Sequence, residues 1–109
     1  MEAKTPKEFF DNVLPARFKP EKSAGIDVVT QIIVTGENSG NWVVTVKNQK
    51  MQITEGINPA PTLTLEVKDS DFMDLMNKKL SAEKAFFTGK VKFKGNIALA
   101  LRLKEAGFL

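Results

Sequence analysis

Between residues 26 and 54 the chain carries three β-branched runs separated by short turn signals, and this pattern constrains the fold more than any other. The runs are residues 26–35, 42–47 and 51–54, with Gly36-Glu37-Asn38-Ser39-Gly40 and Asn48-Gln49 between them. Turns this short return the chain beside itself, so the spacing predicts a three-strand antiparallel meander. In the second run Trp42, Val44 and Val46 share one face, which period two makes the core side. In the first, Val29 and Ile33 oppose Val28, Ile32 and Val34, so both faces are expected to meet apolar groups.

Two more strands follow from alternation. Residues 56–61, with Pro59 and Pro61, form a loop, and Thr62-Leu63-Thr64-Leu65-Glu66-Val67 then points Leu63, Leu65 and Val67 inward. Lys90-Val91-Lys92-Phe93-Lys94 sets three lysines on one face and Val91 and Phe93 on the other, a strand with a wet, basic outer side.

Helix signals frame these strands. Thr5-Pro6-Lys7-Glu8 combines an N-cap, a proline in the first turn and a capping-box Glu. The stripe Phe9, Phe10, Val13, Leu14 follows, and Pro15 is expected to end or turn the helix. Residues 16–25 read as a polar connection with Phe18 its one large apolar side chain. Asp69-Ser70-Asp71 is a capping sequence ahead of Phe72, Met73, Leu75, Met76 and Leu80, a helix apolar over more than the usual third of its girth. Ser81 restarts a short helix through Phe86 and Phe87 that Gly89 breaks. For residues 97–103 periodicity does not decide: Ile97, Leu99, Leu101 and Leu103 alternate as in a strand, while the Ala/Leu composition and Asn96 favour a helix. As a helix it is apolar all round over residues 97–101. It then needs cover on both sides, from sheet and helix or from sheet and a cavity. The order of elements excludes repeated βαβ units, and the fold class is α+β, helices laid on an antiparallel sheet. At 109 residues the chain has room for one core, a single domain over residues 1–109.

Composition narrows the chemistry. There is no His, Cys or Tyr, which removes imidazole bases, thiolate nucleophiles, disulfides and nearly all transition-metal sites. The expectation is a binding module, not an enzyme, with no metal and no cofactor. Asp69, Asp71 and Asp74, with Lys78 and Lys79 close by, are the remaining catalytic candidates. Helix capping and helix surface account for them better. Thr88-Gly89-Lys90 falls far short of a phosphate loop. The net charge of +3 is uneven: residues 1–74 carry −3 and residues 75–109 carry +6. That basic third suits anionic head groups or phosphate, or is a solvated face. Nucleic acid is disfavoured by phase, since Phe93 points away from Lys90, Lys92 and Lys94. No apolar run approaches the roughly 18 residues of a membrane span, and Met1-Glu2-Ala3-Lys4 leads into no signal-peptide core, so a cytoplasmic protein is expected. Eight Phe, four Met and one Trp are a surplus of large, adaptable apolar groups that either pack on one another or surround an apolar guest. Composition by itself favours the plain core.

Residues 58–108 change that balance. NPAPTLTLEV (58–67), DSDFMDLMNKKL (69–80) and above all AFFTGKVKFKGN (85–96), followed by an apolar last element, resemble the sterol carrier protein 2 family. Trp42 in a meander after an N-terminal helix also fits. There are departures: Asn77-Lys78-Lys79-Leu80 stands where many members carry Gly-Lys-Leu, and Ala106-Gly107-Phe108-Leu109 is no Ser-Lys-Leu type peroxisomal tail, which argues for a prokaryotic version with a ligand other than sterol. The resemblance implies a five-stranded, mainly antiparallel sheet with helices over one face and a hydrophobic tunnel between. Such a tunnel holds sterols, fatty acids, acyl-coenzyme A esters or phospholipid chains non-covalently. The implied lining is Val44 and Val46, Leu63 and Leu65, Phe72, Met73 and Met76, and Leu101. Phe10, Leu14 and Phe93 are implied neighbours and Phe108 a part of the lid. The expected function is intracellular lipid binding and transfer, with a lipid or acyl chain as partner and peripheral contact with anionic membranes steered by Lys90, Lys92 and Lys94. The alternative is an accessory domain that presents an isoprenoid or acyl intermediate to a partner enzyme.

Overall fold

The meander forms where alternation places it, in a computed structural model that describes residues 3–108, with the side chain of Phe108 outside that description. Strands β1 (Val28–Thr35), β2 (Gly40–Lys47) and β3 (Lys50–Glu55) pair antiparallel, with Ile32 opposite Trp42 and Val44 opposite Ile53. Strand β4 (Leu63–Lys68) lies on the free edge of β1 and runs parallel to it, and β5 (Val91–Lys94) pairs antiparallel with β4. The order is β3-β2-β1-β4-β5, a mixed sheet with one parallel pair. The parallel step arises because the connection from β3 crosses the outer face of β1. There Gln31, 3% exposed, donates Nε2 to the carbonyls of Trp42 (3.2 Å) and Gly56 (3.0 Å) and accepts from the Asn58 N–H (2.7 Å). This answers the two-sided apolar pattern of β1: it is the central strand, with both edges paired and both faces covered.

The helices lie on the opposite face. α1 (Pro6–Glu8), a π-helical turn (Phe9–Val13) and α2 (Leu14–Arg17) run as one stretch, started by Thr5 Oγ1 accepting from the Glu8 N–H at 3.1 Å. Pro15 does not end it. The Leu14 N–H bonds to the Phe9 carbonyl five residues back, so a wider turn precedes Pro15, whose ring needs room and whose nitrogen has no hydrogen to donate. The segment that reads as irregular holds a short 3₁₀ turn, Pro20–Ser23.

Helix α3 (Asp69–Met76) is also entered differently from the expected cap. Lys68 occupies the N-cap position, while the Asp69 carboxylate accepts from the Ser70 N–H at 2.8 Å and from the Asn38 N–H, in the β1–β2 turn, at 2.9 Å. Gly36 of that turn has φ +104, and a Cβ there would stand 2.5 Å from Asp69 Oδ1, so only glycine lets the carboxylate reach the turn. The helix stops at Met76, short of Leu80, because Lys78 takes φ +62 in the segment that departs from the family pattern. α4 (Ala82–Phe87) is capped by Ser81 Oγ, which accepts from the Lys84 N–H at 3.1 Å. The undecided last element is a helix, α5 (Ile97–Leu103), with Asn96 Oδ1 accepting from the Leu99 N–H at 3.1 Å, and it runs on into a π-helical turn, Lys104–Phe108.

Two halves of the helix layer differ in how they meet the sheet. Over β2 and β1 the N-terminal helix stacks the Phe10 ring on Trp42 (centroids 4.7 Å apart) and on Phe72 (5.5 Å), with Phe9 edge-on to both phenyl rings. This aromatic block packs its half with rings in mutual contact. Over β4 and β5 the layer is α3, α4 and α5, and there the packing leaves a void.

Candidate functional site

The void is a cavity of about 270 Å³, near the lower end of the range for pockets that hold one small ligand. Its floor is the inner face of β1, β4 and β5: Thr30, Ile32, Leu63, Leu65, Val67, Val91 and Phe93. Period two puts all seven on one side of the sheet. Phe72, Leu75 and Met76 of α3 wall one flank, Ala82, Phe86 and Phe87 of α4 another, and Ile97, Ala100, Leu101 and Leu103 of α5 the third. Exposure gives the cavity a direction. Thr30 and Ile32 are 0% exposed at its inner end, whereas Phe87 is 86% and Ile97 59% exposed at its mouth. α5 therefore is not covered on both sides as its all-round apolar surface led one to expect: it packs on the Pro20–Ser23 turn and borders the cavity, and Ile97 and Leu101 stay more than half exposed at the opening.

Gly95 closes the connection between β5 and α5 at φ +129, with its hypothetical Cβ 2.7 Å from Leu63 Cδ2 and 2.8 Å from the Thr62 carbonyl. A side chain there would push α5 off the floor of the cavity. The wall is apolar apart from Thr30 inside and Glu83 and Lys104 at the rim. Lys104 Nζ lies 3.3 Å from Glu83 Oε1; the Glu83 carboxyl is held below its usual range by its own backbone N–H and by that ammonium. Among the described residues no group of His, Cys, Asp or Glu could hold a metal ion. What such an apolar surface does is remove apolar matter from water.

Six of the expected lining residues bound the cavity: Leu63, Leu65, Phe72, Met76, Phe93 and Leu101. Phe10, Leu14, Val44 and Val46 do not. They are buried in the core beneath the N-terminal helix and its aromatic block. Met73 packs on that core from the far flank of α3. Phe108, the expected lid, lies outside the described side chains. Sequence reasoning missed Phe86, Phe87, Ile97 and Leu75 as wall residues. The signal was present in Phe86-Phe87, since two adjacent phenylalanines on a six-residue helix cannot both face a core. The lysines divide. Lys92 and Lys94 point from the outer face of the sheet, Lys92 lying 3.6 Å from Glu66, and Lys90 lies 3.9 Å from Asp71 on α3. Phe93 lies on the opposite, inner face, as the alternation requires.

A model of the SCP-2 sterol transfer family matches residues 10–106. The chain belongs to that family. Membership places it among lipid-binding and lipid-transfer domains. Human sterol carrier protein 2 is 39% identical over 70 residues, 64% of this chain but 13% of the human protein. The peroxisomal multifunctional enzyme A of Dictyostelium discoideum is 40% identical over 72 residues, which is 65% of this chain and 16% of that protein. The chain thus spans a small part of the curated relatives it matches. In fold it is similar to sterol carrier protein 2 like 2 of Aedes aegypti, with a TM-score of 0.73 at 24% identity over 91% of this chain and 94% of that one. No helix among the described residues is long and apolar enough to cross a membrane.

Proposed function

We propose that this chain is a lipid carrier that holds one acyl chain, or a lipid of similar girth, non-covalently in the cavity between the β1-β4-β5 floor and helices α3, α4 and α5. The observation that carries the reading is an apolar cavity lined by fully buried residues such as Ile32 at one end and by the exposed Phe86, Phe87, Ile97 and Leu101 at the other. Each methylene moved from water into it contributes about 0.8 kcal/mol. Affinity then grows with the length of chain enclosed, and an ionised head group stays at the rim near Lys104. The six expected residues that bound the cavity, Leu63, Leu65, Phe72, Met76, Phe93 and Leu101, contact the chain.

The same mouth faces an anionic bilayer during loading and release. Phe87 and Ile97 enter the interface, and the +6 charge of residues 75–109 supplies the attraction. A fluorescent fatty acid whose emission rises in apolar surroundings tests the carrier reading. The wild-type protein enhances it and long-chain fatty acids displace it. Leu101→Arg, at a half-exposed wall position, abolishes the enhancement while the far-UV circular dichroism stays unchanged. No enhancement with the wild-type protein sinks the reading.

A further inference from the structure

Three residues that bound the cavity carry polar side chains, and two of them, Glu83 and Lys104, pair with each other at the rim. The third is Thr30, at the buried end. It is fully buried and its Oγ1 has no hydrogen-bond partner among the described residues. On its face of the sheet the neighbours along β1 are Val28 and Ile32, and those across the ladders are Val44 and Leu63. All four are at most 2% exposed and none has a polar side-chain atom. β1 is paired along both edges, so its backbone groups are taken up by the ladders. A buried hydroxyl without a partner is destabilising, whereas valine has the same shape and would leave nothing unsatisfied.

We propose that Thr30 Oγ1 is the inner polar contact of the ligand, and that the cavity favours a slim lipid whose buried end carries one neutral oxygen, an alcohol or a carbonyl. The inference rests on the carrier reading above. The hydroxyl both donates and accepts, so either oxygen satisfies it. A carboxylate at that end would lose its water with no cation to replace it, so an ionised head stays at the rim and leaves Thr30 unpaired. The structure thereby divides ligands into two orientations: neutral alcohols enter head first, fatty acids tail first.

The test is competition by 1-dodecanol and by dodecanoate against a bound fluorescent fatty acid, on the wild-type protein, Thr30→Val and Thr30→Ser. Thr30→Val weakens dodecanol about threefold to tenfold, the loss of one hydrogen bond, and leaves dodecanoate unchanged or tighter. Thr30→Ser, which keeps the hydroxyl, binds dodecanol close to wild type. In the wild-type protein alone, nuclear Overhauser contacts run from the Thr30 methyl to the C1 protons of bound dodecanol. Contacts to the terminal methyl of dodecanol, or equal affinities for dodecanol in the wild type and Thr30→Val, overturn the assignment and leave the carrier intact. Failure of the fluorescent fatty acid to bind the wild-type protein removes the carrier reading and this inference with it.

Discussion

Phe10 and Leu101 were expected to share one tunnel, and their surroundings set them apart. Phe10 is 1% exposed and stacked between Trp42 and Phe72, so Phe10→Ala leaves a hole among rigid rings and lowers stability by about 3–5 kcal/mol. Leu101 is 52% exposed at the cavity mouth, and Leu101→Ala costs below about 1 kcal/mol while weakening fatty acid binding. Urea denaturation and fluorescent titration of both variants check the division; equal shifts in midpoint would refute it. Asp69 makes a second prediction at this scale. Backbone N–H groups, that of Asn38 first, hold its carboxyl below the ordinary 3.8. A carboxyl depressed in the folded state contributes stability that is present above the unfolded value and is lost as pH falls through the folded one. The melting temperature of Asp69→Asn is therefore below that of wild type at neutral pH, and the gap closes as the pH drops below 3.8. A gap that persists at pH 2 would assign the effect to something other than this charge.

At the scale of elements, most of what the sequence pattern predicts is local chemistry that formed. The Thr5, Ser81 and Asn96 caps all bond as their positions dictate. The clearest test is α5, whose alternation of Ile97, Leu99, Leu101 and Leu103 fits a strand equally well. Its cap contributes directly to the choice, so Asn96→Ala lowers stability by about 1 kcal/mol and Asn96→Asp leaves it near wild type in thermal melts. A neutral Asn96→Ala would mean that burial of Leu103 and Leu99 alone holds the helix. Pro15 and Asp69 show where local rules ran out. The first is accommodated by widening one turn, and the second is drawn off its helix by a β-turn more than thirty residues away in sequence, |i−j| = 31. Both departures depend on packing partners that no local window contains. The parallel pairing of β1 with β4 is of the same kind, because it depends on the path of the 56–62 loop across the outer face and on the Gln31 bonds that secure it.

Over the whole molecule, four of the five large exposed apolar side chains among the described residues gather at the cavity mouth. Phe86, Phe87, Ile97 and Leu101 surround the mouth, while Lys92 and Lys94 project from the outer face of the sheet, so the expected steering by these two acts through the field of the basic third and not by contact at the opening. In the proposed reading, contact with the bilayer falls to the aromatic rim. Phe87→Ser is expected to reduce partitioning onto phosphatidylglycerol vesicles about tenfold, the loss of one buried phenyl group, and to slow lipid transfer in parallel. Raising the salt concentration slows transfer for wild type and variant alike. Transfer that ignores both the substitution and the salt would detach the mouth from the membrane. The sequence by itself determined the α+β class, the five strands, the inward residues of β2, β4 and β5, the caps at Thr5, Ser81 and Asn96 and the exclusion of imidazole and thiol chemistry, because alternation, capping and composition are properties of neighbouring residues. It also held, in the motifs of residues 58–96, the resemblance that placed the chain in its family. Only the tertiary structure decided which apolar residues are core and which are wall. Val44 and Leu63 have similar chemistry and face the same side of the sheet, yet Val44 lies in the core beneath the N-terminal helix, while Leu63 borders the cavity beneath α3, α4 and α5.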